Sequence, residues 1–207
     1  MSSYTPHMAQ NFDRLADEYE SRWGQYLNHT HQKFLSQLHL DKNDIVLDMS
    51  CGTGLLAHHL IKRGDRFQEL ILNDISKKLQ AHAKERLNGR DDVRFTSFPA
   101  ELLDFPAETF DKIFCLNAFH NYSQQSRILN NCYHILKPGG HFYMLDWNRS
   151  GWFRFVNMLI KLRTPEFIHT YSRQEMKQEL TNHSFSIIFD EEWNFNFWKF
   201  FFLVVEK

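Results

Sequence analysis

The sequence predicts an α/β protein: a three-layer αβα sandwich around an open, mostly parallel sheet of seven strands, with a helical cover at the N-terminus. Three observations carry this. Short apolar runs rich in β-branched residues alternate with longer amphipathic stretches, the pattern of strand–crossover–strand units. The first run, Ile45-Val46-Leu47, has no polar interruption, which suits a strand covered on both faces, and it leads through Asp48-Met49-Ser50-Cys51 into Gly52-Thr53-Gly54. The last two runs are joined by a loop too short for a helical crossover, so the final strand is expected to lie antiparallel.

Residues 1–40 read as one or two helices, with Phe12, Leu15, Ala16 and Tyr19 at i, i+3, i+4 and i+7 and a second stripe through Tyr26, Leu27, Phe34, Leu35 and Leu38. Strand one is followed by a helix over 54–64. Strand two covers 67–73 and ends in Asp74. A basic helix over 76–88 (Lys77, Lys78, His82, Lys84, Arg86), stopped by Gly89, reads as a solvated face. Strand three spans 93–97, strand four 110–117, and a helix 123–136. Leu136-Lys137-Pro138-Gly139-Gly140 is a helix stop and turn before strand five at 141–147. Ser172 with Glu175 opens a helix to about Thr181, and strands six and seven fall at 185–189 and 198–205.

Composition bounds the function. The chain has 207 residues, 43% hydrophobic and 24% charged, the balance of a globular protein with one sizeable core. One domain over 1–207 is expected. Net charge is −1, which leaves no electrostatic footprint for nucleic acid. Cys51, Cys115 and Cys132 are scattered, so neither a disulfide framework nor a zinc site is indicated, and adjacent His58 and His59 point to different sides of a helix. Neither a signal peptide nor a run of membrane-spanning length is visible, so a cytoplasmic location is expected, with no stable membrane insertion. The 20 Phe, 7 Tyr and 5 Trp stand out, and seven of the ten positions from Trp193 to Phe202 are aromatic, which suits core and edge packing.

The turn after strand one carries the chemistry. Gly52 and Gly54 let the backbone turn sharply and approach a ligand, and the next helix aims its N–H groups at the same place. Gly52-Thr53-Gly54-Leu55-Leu56-Ala57 matches the dinucleotide pattern G-x-G-x-x-G/A in form. Asp48 argues the other way, because a carboxylate before the turn repels a pyrophosphate and attracts a cation. Asp74, twenty residues past Gly54, suits hydrogen bonds from ribose hydroxyls; a cap for the following helix is the plainer alternative.

Ile45 to Gly54 resembles motif I of the class I S-adenosylmethionine (SAM) methyltransferases, with Ser50 where the usual form has glycine. Other stretches follow in the family's order. The run from Asn11 to Glu20, through Phe12, Ala16 and Tyr19, is similar to the family's opening helix. Phe98 to Pro106 resembles its adenine segment, with Pro99 in place of an aspartate. Phe110-Asp111 running into Asn117-Ala118-Phe119-His120 resembles motif IV, and Leu136 to Gly140 resembles the loop before strand five. The resemblance implies a Rossmann-like fold, SAM as cofactor and S-adenosyl-L-homocysteine as product. It implies that Asp48 attracts the cationic amino-acid part and that the backbone of Ser50, Cys51, Gly52 and Gly54 holds its carboxylate. Asp74 would then hold the ribose and Ile75 the adenine face, Ala100 and Glu101 would flank its edge, and Asn117 and Ala118 would line the floor. Tyr19 either faces the cofactor or packs its helix on the sheet.

His120 is the candidate general base, since its pKa suits proton transfer near neutrality, with Tyr122, Asp146 and Trp147 nearby in sequence. Residues 148–170 are an insertion: Arg149, Arg154, Lys161 and Arg163 occur with no acid before Pro165. Trp152, Phe155, Val156 and Leu159 recur at helical spacing, widened by Phe153, Met158, Ile160 and Leu162. This is a core-packing helix, a substrate lid or a membrane-surface helix. The likeness to the type 11 and ubiquinone/menaquinone-biosynthesis branch implies a small acceptor, and the aromatic content suggests an apolar or aromatic one. An NAD-dependent oxidoreductase and a non-catalytic binding module are the rivals. Oligomeric state is not legible.

Overall fold

The computed structural model describes residues 4–163 and 169–207. Their strands form a seven-stranded, mostly parallel sheet with one antiparallel member, and the chain packs as two units, Met1–Pro99 and Ala100–Lys207.

The first unit opens with α1 (Tyr4–Leu15), a 3₁₀ turn over Ala16–Glu18, and α2 (Tyr19–Gln37). Then come β1 (Ile45–Asp48), α3 (Leu55–Arg63), β2 (Glu69–Asn73), α4 (Lys77–Arg86) and β3 (Val93–Thr96). The strands run parallel in the order β3-β2-β1, with Val46 opposite Leu70 and Leu70 opposite Val93. Val46, Leu47, Leu70, Ile71 and Leu72 are fully buried, which is why these runs are apolar throughout. Gly54 sits at φ +71° just before α3, and a Cβ there would lie 3.0 Å from Ala83 Cβ. Glycine thus lets the first turn of α3 seat against α4.

The expectation of a solvated basic face on α4 holds for Lys77, Lys78 and Lys84 and fails for His82 and Arg86. Those two receive the acids of the cover. Asp13 accepts from Ser76 Oγ (2.6 Å) and Lys78 N (3.1 Å), Asp17 pairs with His82 (3.2 Å), and Glu20 pairs with Arg86 (2.7 Å). Positions 13, 17 and 20 are one helical turn apart, so one acidic edge meets one edge of α4.

The second unit contains β4 (Phe110–Leu116), α5 (Gln125–Ile135), β5 (Leu136–Trp147), α6 (Phe153–Arg163), α7 (Arg173–Asn182), β6 (Ser186–Phe195) and β7 (Trp198–Glu206). The order is β4-β5-β7-β6, with β7 antiparallel to both neighbours. Ser172 and Glu175 form the expected capping box on α7. Two expectations are corrected. The Leu136–Gly140 segment is not a loop outside the sheet: Leu136 already pairs with Phe110, His141 pairs next with Lys112, and 137–140 bulge between them. The glycines allow this, because Gly139 has φ +73° and a Cβ on Gly140 would meet Leu136 Cγ at 2.8 Å.

The second correction concerns α6. Its inner face is Phe153 and Asn157, whereas Trp152 (69% exposed), Phe155 (61%) and Leu159 (49%) face solvent. Stacked Trp147 and Trp198 (4.8 Å) already fill the space beneath the helix and accept one ring from it, Phe153, at 6.0 and 5.6 Å. The core-packing reading of the Trp152–Phe155–Leu159 stripe therefore fails. Part of the insertion, 164–168 with Pro165, lies outside the described residues.

Gly54 and Gly64 both have positive φ, but only Gly54 has a close neighbour. Gly54→Ala is expected to cost about 2–4 kcal/mol, strain plus overpacking, and Gly64→Ala about 1 kcal/mol. Urea unfolding of the two variants measures the difference; equal losses would contradict the packing role.

Candidate functional site

In the first unit the glycine turn is closed by buried side chains from β2. Gly52 N donates to Asp74 Oδ2 and Ser76 N donates to Asp74 Oδ1, both at 2.8 Å. Cys51 N donates to Asn73 O at 2.9 Å. Asp48 accepts from Ser50 N (3.2 Å), and Ser50 Oγ donates to Met49 O (2.8 Å). Positive φ in the turn is confined to Gly52 (+54°) and Gly54 (+71°), so Ser50 occupies its position without backbone strain. Asp74 does make the local bond to Ser76 N, but the cap of α4 is Ser76, whose Oγ accepts from Leu79 N.

Sequence reasoning missed Asn73. Its Nδ2 donates to Met49 O (3.2 Å) and Phe98 O (3.0 Å), and its Oδ1 accepts from Phe98 N (2.8 Å) and Thr96 Oγ1 (3.0 Å). One amide thus ties the ends of β1, β2 and β3 together. The available signal was a polar residue closing the apolar Leu70-Ile71-Leu72 run. Thr53 was missed too. It donates to Glu20, and Arg86 donates to its carbonyl (2.8 Å) and Oγ1 (3.0 Å), so the turn is fastened to α2 and α4 at once. Burial raises the Glu20 carboxyl, but the bonds from Arg86 and Thr53 outweigh it and hold the acid below its ordinary range.

Tyr19 lies over the turn: its Cε1 is 4.0 Å from where a Cβ on Gly52 would stand. Burial, with the charge of Asp74, pushes its phenol up to about 12. Burial pushes the Asp48 carboxyl up to about 7; the Ser50 N–H opposes this and the Asp74 charge adds to it. Asp74 rises to about 6 through burial, against the Ser76 and Gly52 N–H bonds. Two buried carboxyls that resist ionisation beside a glycine turn form a place where a cation is worth more than in water.

In the second unit Ala100 and Glu101 are buried in a 3₁₀ turn, Ala100–Leu102, and the Glu101 carbonyl accepts from Asn131 Nδ2 at 3.1 Å. Asn117 ends β4 at φ +55°, with its N–H bonded to Leu145 O at 2.8 Å. Asparagine is among the non-glycine residues that adopt this left-handed conformation most readily. After Ala118, a 3₁₀ turn (Phe119–Asn121) delivers His120 onto Asp146: the backbone N is 2.9 Å from Oδ2 and Nδ1 is 2.6 Å from Oδ1. Both side chains are buried, at 7% and 4% exposure, and the imidazole stacks on Trp147 at 3.9 Å. A carboxylate accepts only, so Nδ1 carries the proton and Nε2 is the free basic position, without a bond among the described residues. Residues that the sequence offered separately, His120, Asp146 and Trp147, thus form one cluster.

Residues 47–144 match the family model described as a methyltransferase domain. This match, over just under half of the chain, supports a class I SAM-dependent methyltransferase. It is 29% identical over 188 residues to malonyl-[acyl-carrier protein] O-methyltransferase 1 of Ilyobacter polytropus, covering 88% of this chain and 68% of that one. It is 29% identical over 109 residues to the ubiquinone/menaquinone biosynthesis C-methyltransferase UbiE of Hydrogenovibrio crunogenus, covering 51% and 43%. The chain thus spans about two thirds of one of these relatives and less than half of the other. Among solved structures, the fold is shared with the methyltransferase bound to the Trm112 activator from Haloferax volcanii (TM-score 0.82, 17% identity, 94% and 96% covered). It is also shared with the [4+2]-cyclase SpnF (TM-score 0.80, 16% identity, 98% and 96% covered). At such identities these two show the fold alone.

The cofactor is SAM, with S-adenosyl-L-homocysteine as product. Buried Asp48 and Asp74 suit its positive charge. Nothing in the comparisons favours the NAD-dependent or the non-catalytic alternative.

A bound cation favours the ionised carboxyls and so lowers their pKa values. Binding must release protons, and affinity must rise with pH through the range from about 6 to about 7 set by Asp74 and Asp48. Without ligand the sign reverses for stability: acids raised on folding cost the folded state progressively more as pH climbs from about 4 to about 7. Calorimetric titration with SAM at pH 5.5–7.5 is expected to show about tenfold tightening, with a flatter profile for Asp48→Asn. A flat wild-type profile would refute the electrostatic role.

Proposed function

We propose that this chain transfers the methyl group of SAM to a small apolar or aromatic acceptor, and that the His120–Asp146 dyad removes the acceptor's proton. The single observation behind this is the dyad itself: a buried imidazole with Nδ1 pinned and Nε2 unbonded. SAM supplies a methyl already activated by its positively charged sulfur. The chain's residues then bind, orient and exclude water.

Asp48 attracts the cationic amino-acid portion, and the backbone of Ser50, Cys51, Gly52 and Gly54 holds its carboxylate. Asp74 accepts from the ribose hydroxyls; each of its oxygens takes one backbone N–H and keeps a second lone pair. Ile75 lies on the adenine, Ala100 and Glu101 flank its edge, Asn117 and Ala118 form the floor, and Tyr19 covers the turn. His120 Nε2 takes a proton from a hydroxyl or an acidic carbon, and Asp146 steadies the imidazolium that results.

The ring of Trp147 stacked on His120 favours a flat or apolar acceptor. Relatives named for quinone and sterol methylation agree with that class. In this proposal the whole chain is one catalytic domain, with 1–40 as cover and 148–170 as lid. It works in the cytoplasm, in keeping with three cysteines that form no disulfide among the described residues, and has no nucleic-acid partner. Among the described residues no helix is long and apolar enough to cross a membrane.

His120→Ala is expected to lower kcat about 10²–10⁴-fold toward phenol or quinol acceptors. Asp146→Asn should lower it less, and SAM affinity should stay unchanged in both. Full turnover by His120→Ala would remove the base from the mechanism. In a thermal-shift assay SAM should raise the melting point, Asp74→Ala should abolish that shift, and NADH should give none.

A further inference from the structure

The outward face of α6 has no partner within the described residues. Trp152 (69% exposed), Phe155 (61%), Met158 (53%), Leu159 (49%) and Leu162 (75%) are five of the seven large apolar side chains that the described residues leave in solvent. Four of them lie in α6 and, at about 100° per residue, fall on one arc of about 100°, while Trp152 stands in the turn that leads into it. Isolated exposed apolar residues are ordinary; five together on one helix and its leading turn are an interaction surface. A sixth, Phe197 (55% exposed), sits in the turn between β6 and β7. It joins the same region through Trp198, whose ring is 4.7 Å from Phe197 and 5.6 Å from Phe153 at the root of α6.

Charge identifies the occupant. From Asn148 to Arg163 there are four basic residues and no acid, in a chain whose net charge is −1. Arg149 is taken by Glu175 at 2.7 Å. Arg154 is exposed and borders the apolar arc. A second copy docked by two-fold symmetry would set basic borders against basic borders, a like-charge contact. An exposed apolar stripe in a segment that carries four basic residues and no acid instead matches a bilayer of anionic lipid, with the rings among the acyl chains and the cations at phosphate level.

We propose that the outer face of α6, with Phe197 beside it, seats the protein on the surface of an anionic lipid membrane. The inward face, through Phe153, stays packed on Trp147 and Trp198, so docking needs no unfolding of the helix. This docking is independent of methyl transfer and is measured without turnover.

The test is co-sedimentation of the whole protein with vesicles of phosphatidylcholine containing about one-third phosphatidylglycerol, beside vesicles of phosphatidylcholine alone. Wild type should bind the anionic vesicles about tenfold more tightly or better, and should be released by salt. Phe155→Glu with Leu162→Glu should abolish binding, and Arg154→Glu should weaken it several-fold. These side chains are solvent-exposed, so the variants should keep the wild-type melting point and SAM-induced thermal shift, which separates lost docking from lost folding. No binding to anionic vesicles, or equal binding by the Glu variants, overturns the proposal. So does a wild-type dimer in sedimentation equilibrium that the same substitutions dissociate, since the face would then belong to a second copy.

Discussion

The carboxylate of Asp74 is the interaction on which the rest of the first unit depends. One oxygen accepts from Gly52 in the turn after β1, the other from Ser76 at the start of α4. A buried carboxylate with two backbone donors is well satisfied and strongly directional, so it fixes where two chain segments meet. The same burial makes its charge hard to sustain, and Asp48 shares that difficulty. Structure and chemistry are coupled here: the group that closes the turn also makes the turn receptive to a cation.

Buried apolar side chains anchor the cover over this turn, and polar contacts set its position. Asp13, Asp17 and Glu20 meet the α4 edge, and Glu20 shares Thr53 with Arg86. Exposed ion pairs contribute little one at a time. Their value here is positional, since Tyr19 adjoins Glu20 and its ring thereby stays over Gly52. Asn73 plays the matching part at the strand ends, where a single amide adds side-chain bonds to Met49 and Phe98 beside the backbone pairing.

The second unit reverses the expected roles of two features. His120, one of twelve histidines, becomes distinctive only when Asp146 lies 2.6 Å from its Nδ1 and Trp147 lies under its ring. Helix α6 shows the opposite outcome. Its apolar periodicity is that of a core helix, yet Trp147 and Trp198 already occupy the core beneath it, and the stripe faces outward. Periodicity identifies a helix and a face; which side that face meets depends on what neighbouring elements have filled.

Much of this protein was written locally. Continuous apolar runs, glycine stops and the Ser172–Glu175 box marked the elements, because backbone sterics and capping act within a few residues. The order of Asp48, Gly52, Gly54 and Asp74 marked the glycine turn and the acids beside it for the same reason. Other features belonged to the tertiary structure alone: the His120–Asp146 pairing, the Asn73 amide, the bulge that keeps Leu136–Gly140 inside β5, and the outward turn of α6. Each depends on residues distant in sequence coming into contact, and no pattern within one segment records which partner the fold brings to it.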